Sequence, residues 1–278
     1  MRLIDVHHLG RERVIGCWEL DGVLIDPGPT SSMEHLIDAL ANERPRALLL
    51  THIHLDHAGA AGSLVWRWPE LPVYVHELGA RHLADPSKLL ASAERLYGDQ
   101  METLWGEVAP VPERNLKPLS GGEEVMGFRV AYTPGHASHH VSYFHPPSGR
   151  AFVGDTAAVR IPPSEHVIPP TPPPDIDVEL WEESIDRILD WQPGSLGLTH
   201  FGAVEEPEAH FEVVRQRLRE QADLARELSG EQFEERIRER VVDQADPETA
   251  EALFQAVPPE QQWLGLDRYW KRRPQQAA

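Results

Sequence analysis

Four residues able to bind a metal stand within six positions in the run Thr51-His52-Ile53-His54-Leu55-Asp56-His57. Imidazole nitrogens and carboxylate oxygens are the donors that borderline divalent cations such as zinc favour. In an extended stretch alternate side chains share a face, so His52, His54 and Asp56 are expected to point one way, with His57 joining them where the chain turns. The run follows a short apolar segment, Arg46 to Leu50, which reads as a buried strand. A solvated polar loop gives no reason for this density of ligand-type residues at the end of such a strand.

One loop supplies too few ligands for a complete site, and three distant places offer more. His136 lies in Thr133-Pro134-Gly135-His136, Asp155 in Gly154-Asp155-Thr156, and His200 in Thr199-His200-Phe201-Gly202. Each follows a short apolar run. A lone His or Asp after a strand says little, but strand ends gathered at one edge of a sandwich would bring all seven side chains together.

The elements that must position them are short. Val14 to Trp18 and Val23 to Ile25 flank an Asp21-Gly22 hairpin signal. Ser31 to Ala41 reads as a helix, with Met33, Leu36, Ile37 and Leu40 on one face. Ala58 to Trp68 is the next expected helix, and Ser87 to Trp105 another, interrupted at Gly98. Strands are expected at Val73–Val75, Phe128–Thr133, Val141–Phe144, Ala151–Val153 and Ser195–Thr199, with a helix at Leu180–Leu189. Seven prolines among the fourteen residues 161–174 exclude regular helix and central strand, and predict a semi-rigid surface loop. After about Glu205 the pattern turns helical and charged, with stripes at Phe211, Val214 and Leu218, and at Phe233, Ile237 and Val241. The expected organisation is an α/β body at 1–204 and a helical C-terminal appendage at 205–278.

Composition narrows the function. The net charge of -19 disfavours a nucleic-acid partner, whose binders are usually basic. The single cysteine, Cys17, excludes an internal disulfide and fits a reducing compartment. With no apolar run of transmembrane length, no membrane partner is expected, and the cytoplasm is the expected location.

Taken together, the His-x-His-x-Asp-His loop, the Gly-His turn, the Gly-Asp after a strand and the late His resemble the signature of the metallo-β-lactamase-fold superfamily. The resemblance covers about residues 1–204. It implies a four-layer αββα sandwich with the site at one edge of two sheets. It further implies that His52, His54 and His136 hold one metal, that Asp56, His57 and His200 hold a second, and that Asp155 bridges both. Two divalent ions are the implied cofactors, zinc first, with iron or manganese as alternatives. Asp26 matches the family's early aspartate and is expected to accept the other N–H of a metal-bound histidine. His140 stands where relatives carry a supporting histidine.

The bridging Asp155 points to the glyoxalase II-like, lactonase-like and phosphodiesterase-like branches. Gly154-Asp155-Thr156 resembles the first of these, which implies hydrolysis of a small-molecule acyl thioester or ester by a bridging hydroxide, with Asp56 orienting the nucleophile and relaying a proton. Alternatives within the same resemblance are a lactonase, a phosphodiesterase or nuclease, and a mononuclear iron enzyme like the persulfide dioxygenases; a non-catalytic metal protein is a distant one. Lactonases of this kind usually carry a Tyr three residues after the bridging Asp, where this chain has Ala158. Leu89 to Trp105 and the 161–174 loop are the expected pocket walls, and a reach of His166 from that loop to substrate is the less favoured reading. The tail is expected to cover one edge of the sandwich or to form a homodimer, with Trp263, Tyr269 and Trp270 anchoring it or reaching the mouth of the site.

Overall fold

The computed structural model describes residues 1–273 of the chain. The chain opens with strands β1 (Arg2–Asp5), β2 (Gly16–Leu20) and β3 (Val23–Ile25), then helix α1 (Met33–Ala39) and β4 (Ala47–Leu49). A four-residue helix α2 (Leu55–Ala58) and α3 (Ala61–Arg67) lead to β5 (Val73–His76). Three helices follow, α4 (Glu77–Ala84), α5 (Ser87–Tyr97) and α6 (Met101–Trp105), then β6 (Leu116–Leu119). Strands β7 (Glu124–Val125), β8 (Phe128–Tyr132), β9 (Val141–His145) and β10 (Arg150–Phe152) precede α7 (Val178–Leu189), β11 (Ser195–Leu198) and β12 (Gly202–Val204). Four helices finish the described chain: α8 (Pro207–Glu227), α9 (Gly230–Gln244), α10 (Pro247–Ala256) and α11 (Pro259–Arg272).

The strands form two six-stranded mixed sheets, ordered β1-β2-β3-β4-β5-β6 and β12-β11-β10-β9-β8-β7. The alternation of each strand explains why they stack. Trp18, Ile25, Ala47 and Leu49 of the first sheet meet Phe128, Val130, Tyr143 and Phe152 of the second in a buried core between them. The opposite faces, carrying Leu24, Leu48, Ala151 and Leu196, pack into a second apolar cluster with the helices. The result is the αββα arrangement expected from the sequence. The Asp21-Gly22 hairpin has both residues at positive φ, 51° and 79°, as its turn type requires. The break between α5 and α6 falls at Gly98, φ 50°. Strands β1, β6, β7 and β12 and helix α4 had no expectation.

Two expectations need correction. Segment 161–174 is not a surface loop: residues 166–171 are buried, and Val159 and Ile168 pair as an isolated antiparallel bridge. Also, Leu55–Ala58 is helical, so Asp56 does not continue the extended face of His52 and His54.

The tail helices lie over the proline-rich segment and α7. Phe211, Val214 and Leu218 of α8 and Phe233, Ile237 and Val241 of α9 are buried in the cluster that also holds Trp181 and Ile185 of α7. Each such side chain contributes about 1.5–3 kcal/mol. The caps, Ser229 on α9 and Asp246 on α10, contribute about 1 kcal/mol each. Exposed pairs such as Arg215–Asp186 contribute less again. The apolar stripes therefore hold the tail. Trp263, Tyr269 and Trp270 are anchors: their polar atoms bond Leu228 O at 3.3 Å, Glu179 at 3.0 Å and Ala222 O at 2.7 Å. Among the described residues no helix is long and apolar enough to cross a membrane.

The closest approach is at Gly265 of α11, where a Cβ would overlap the carbonyl oxygen of Thr171. Nearby, the Gln262 side chain accepts from the Thr171 N–H and hydroxyl. Gly265→Val should push α11 off the proline-rich segment and lower the thermal midpoint by roughly 3–10 °C in a melting experiment. An unchanged midpoint would show that α11 does not dock as described.

Candidate metal centre

Five loops build the site, all at one edge of the sandwich. Asp26 follows β3 and the His52–His57 run follows β4, both in the first sheet. His136, Asp155 and His200 follow β8, β10 and β11 in the second. Hydrogen bonds between the sheets lock this edge: Val141 N donates to Thr51 O at 2.8 Å, Gly16 N to Thr199 O at 2.9 Å, and Tyr143 OH to Leu50 O at 2.8 Å. Gly154, φ 45°, lies so near Thr51 and His140 that a Cβ there would clash with both. That close approach lets Asp155 enter the site.

All seven candidate ligands converge, in two groups. His52, His54, His136 and Asp155 form one, and Asp56, His57 and His200 the other; within each group the ligand atoms lie within 4.8 Å of one another. In the first, His54 Nδ1 stands 3.0 Å from His52 Nε2 and 2.9 Å from His136 Nε2. In the second, His200 Nε2 stands 3.2 Å from His57 Nε2 and 3.4 Å from Asp56 Oδ2. Asp155 lies between them. Its Oδ2 faces His136 Nε2 at 3.3 Å, and its Oδ1 faces His57 Nε2 at 3.1 Å.

The outer nitrogens say which lone pairs point inward. His136 Nδ1 donates to Pro170 O at 2.8 Å, His200 Nδ1 to Val14 O at 2.6 Å, and His57 Nδ1 to Asp26 Oδ2 at 2.9 Å. A neutral imidazole has one N–H, so each inner Nε2 is left as a bare acceptor. Bare nitrogens and carboxylate oxygens crowded together repel unless a cation lies among them. Asp155 Oδ1 is buried without a hydrogen-bond partner, which is the same deficit seen from the carboxylate. The residues present therefore fit a pair of divalent cations.

The protein groups alone agree. Burial works against a charged His57, but Asp155, Asp56 and Asp26 outweigh it and raise its pKa well above the usual value. His200 is raised as well, against its burial, by Asp56 and Asp155. Burial likewise opposes ionised Asp155, but His57 and His136 hold it well below the carboxylate range. The first group differs: burial and neighbouring imidazoles keep His52 far below its usual value and His54 at about 4. Burial thus disfavours charge on the imidazoles of the first group, whereas the carboxylates around the second favour positive charge there.

Supporting residues complete the frame. Asp26, fully buried at φ 52°, accepts from Thr51 N at 2.8 Å, Thr51 Oγ1 at 2.7 Å and Thr199 Oγ1 at 3.0 Å, besides His57. His140 stacks on His52 with centroids 5.0 Å apart and pairs with Thr133 Oγ1 at 2.9 Å. It is not in either ligand group.

The site opens into a cavity of about 820 Å³. Its walls include Leu89, Leu96, Tyr97, Leu104 and Trp105, and Pro170, Pro172, Pro173 and Pro174, as expected for α5, α6 and the proline-rich segment. His166 is turned away and bonds Gln244 of α9 at 2.7 Å. Residues without a sequence expectation also line it. His139 does so, as does His8, stacked on Trp105 and lowered to about 4 by burial. From the tail come Phe254, Gln255, Pro258 and Gln261, the last bonded to Tyr97 OH at 3.2 Å.

Asp26→Asn keeps one accepting oxygen for the four donors that now share two and removes the charge facing His57, so it should weaken the second group's hold on metal about 10–100-fold. Metal per chain after dialysis against a chelator should fall from two toward one, and retention of two would remove this role for Asp26.

Comparison with known proteins gives the same assignment. A family profile described as the metallo-beta-lactamase superfamily matches residues 19–193. The metallo-beta-lactamase fold-containing protein ST1585 of Sulfurisphaera tokodaii is 31% identical over 73% of this chain and 76% of its own length. The solved structure of ST1585 matches at a TM-score of 0.66, covering 77% of this chain and 84% of that one at 28% identity. A structure of TTHA1623 in a di-iron-bound form matches at a TM-score of 0.53 and 27% identity, covering 69% of this chain and 89% of that one. Hydroxyacylglutathione hydrolase of Legionella pneumophila is 30% identical over 50% of this chain, which spans only 44% of that relative. On the family match, the two sheets and the convergent histidines and aspartates, this chain belongs to the metallo-beta-lactamase superfamily.

Proposed function

We propose that the protein hydrolyses a small acyl thioester or ester at a dinuclear centre, with His52, His54 and His136 holding one divalent ion, Asp56, His57 and His200 the other, and Asp155 reaching both. The observation that carries this reading is the position of Asp155, whose two oxygens face different ligand groups. Two such ions supply hydroxide near neutral pH and Lewis acidity toward a carbonyl oxygen. The likeness to hydroxyacylglutathione hydrolases favours an acyl thioester among carbonyl substrates. Zinc is our first choice of metal, and the di-iron form of TTHA1623 keeps iron as the second.

The chain's own groups then do the following. Asp56, the most exposed of the two carboxylates, turns Oδ2 toward His57 and His200, at 3.7 and 3.4 Å, and lines the cavity. Its carboxylate takes the proton of the attacking water and returns it to the leaving sulfur or oxygen as the acyl bond breaks. Water adds to the acyl carbon, so the products are a carboxylate and a free thiol or alcohol. Leu55, Ala93 and Trp105 form an apolar wall that keeps bulk water from the acyl group. Asp26 and the carbonyls of Val14 and Pro170 fix the imidazoles so that the lone pairs stay aimed inward.

Freshly purified protein should carry two divalent ions per chain and cleave acyl thioesters faster than lactones or phosphodiesters. Asp155→Ala should remove metal and lower turnover by roughly a thousandfold or more. A variant with both ions and full turnover would overturn the bridging role. One iron per chain with oxygen uptake would overturn the hydrolase.

A further inference from the structure

The cavity beside the ligands is amphipathic in a way that the ligands do not require. Its inner wall is apolar: Leu55, Ala93 and Trp105 are buried there, with Leu89 and Leu104 packed on them. Its rim, on α4 and α5, carries the exposed cations Arg81, Lys88 and Arg95. In a chain of net charge -19, acidic partners abound. Elsewhere several arginines find them: Arg11 meets Glu251 at 2.8 Å, Arg215 meets Asp186 at 2.6 Å, and Arg150 meets Glu205 at 3.2 Å. Among the described residues, none of the three rim cations has a carboxylate within 4.0 Å. Arg81 reaches only its neighbour His82, at 3.2 Å, and Arg95 only Ser92, at 3.2 Å. Asp175 and Glu260 also line the cavity but pair with none of the three.

Lys88 and Arg95 are seven residues apart on α5, which puts them on one face about 10 Å apart along the axis. One oxyanion cannot pair with both. Cations grouped at a concave, low-dielectric mouth focus their field on what enters. We propose that Arg81, Lys88 and Arg95 select a substrate whose apolar acyl part lies against Leu89, Leu104 and Trp105 and whose leaving group carries at least two oxyanions, carboxylates or phosphates. This rests on the acyl-hydrolase reading of the same site.

The test compares three thioesters of one acyl group on the metal-loaded full chain: on glutathione, which carries carboxylates; on coenzyme A, which carries phosphates; and on neutral N-acetylcysteamine. The wild type should favour one anionic carrier over the neutral one by about tenfold in kcat/KM, chiefly through KM, and the preference should shrink in high salt. Which carrier is favoured separates carboxylate from phosphate. In R81E/K88E/R95E the preference should fall about tenfold, and R81K/R95K should retain most of it. Arg44→Glu, an exposed cation away from the cavity, should leave the preference at its wild-type value. Equilibrium binding of S-methylglutathione and of coenzyme A, read without turnover, should weaken in the triple variant for the favoured carrier. An unchanged preference and unchanged binding after charge reversal would overturn the selection while neutral thioester turnover left the hydrolase standing. Charge-dependent binding with no thioester cleaved would overturn the hydrolase and leave the cationic rim.

Discussion

The Asp26 carboxylate is the point on which the site depends. It is fully buried, and a buried charge is tolerated only when its lone pairs are satisfied. Here the carboxylate ties three loops together: Thr51 and His57 after β4, Thr199 after β11, and Asp26 itself after β3. Two of those loops belong to one sheet and the third to the other. Satisfying one carboxylate therefore sets the spacing of the two sheets at the edge where the ligands emerge. It also fixes the tautomer of His57. Leaving this carboxylate unpaired would cost several kcal/mol, more than the turns around it can recover. The loops have one arrangement as a result.

Around that rigid centre the chain divides its labour. The seven candidate ligands come from loops after β4, β8, β10 and β11. The walls of the cavity beside them come from α4 to α6, the proline-rich segment and the tail. His136 shows how the two are coupled, because its Nδ1 donates to Pro170 O, and Pro170 itself lines the cavity. Gln262 of α11 in turn pins Thr171 beside it. Chemistry and selection rest on separate elements joined by a few main-chain hydrogen bonds.

Much of this was legible in the sequence, for a physical reason. Each candidate ligand lies in the loop after a short strand, and though one such His or Asp says little, four such loops in this order single the site out. The fold class followed from the same strand ends through a family resemblance. What escaped had weaker signals. Strands β1, β6 and β7 mix polar and apolar residues without clear alternation, and β12 is only Gly202-Ala203-Val204. Helix α4 starts directly from β5, capped by the His76 ring accepting from Leu78 N, and histidine is not a usual cap. The proline-rich segment read as surface because prolines are mostly exposed. Lacking N–H groups, they leave only carbonyls to satisfy on burial, and His136 and Gln221 satisfy those of Pro170 and Pro169. The rim cations recur every seventh residue, at 81, 88 and 95, but only the structure shows that they share one opening.

The placement of Gln261 and Gln262 near the end of the chain has a consequence for how the protein is made. Chains emerge from the N-terminus and fold as they do so. By the time His200 is available, every candidate ligand has been synthesised, but the wall formed by Phe254, Pro258 and Gln261 has not. During synthesis the centre can load metal before it has a closed pocket. Helices α10 and α11, made later, then add to that open site the remaining wall of the cavity beside it.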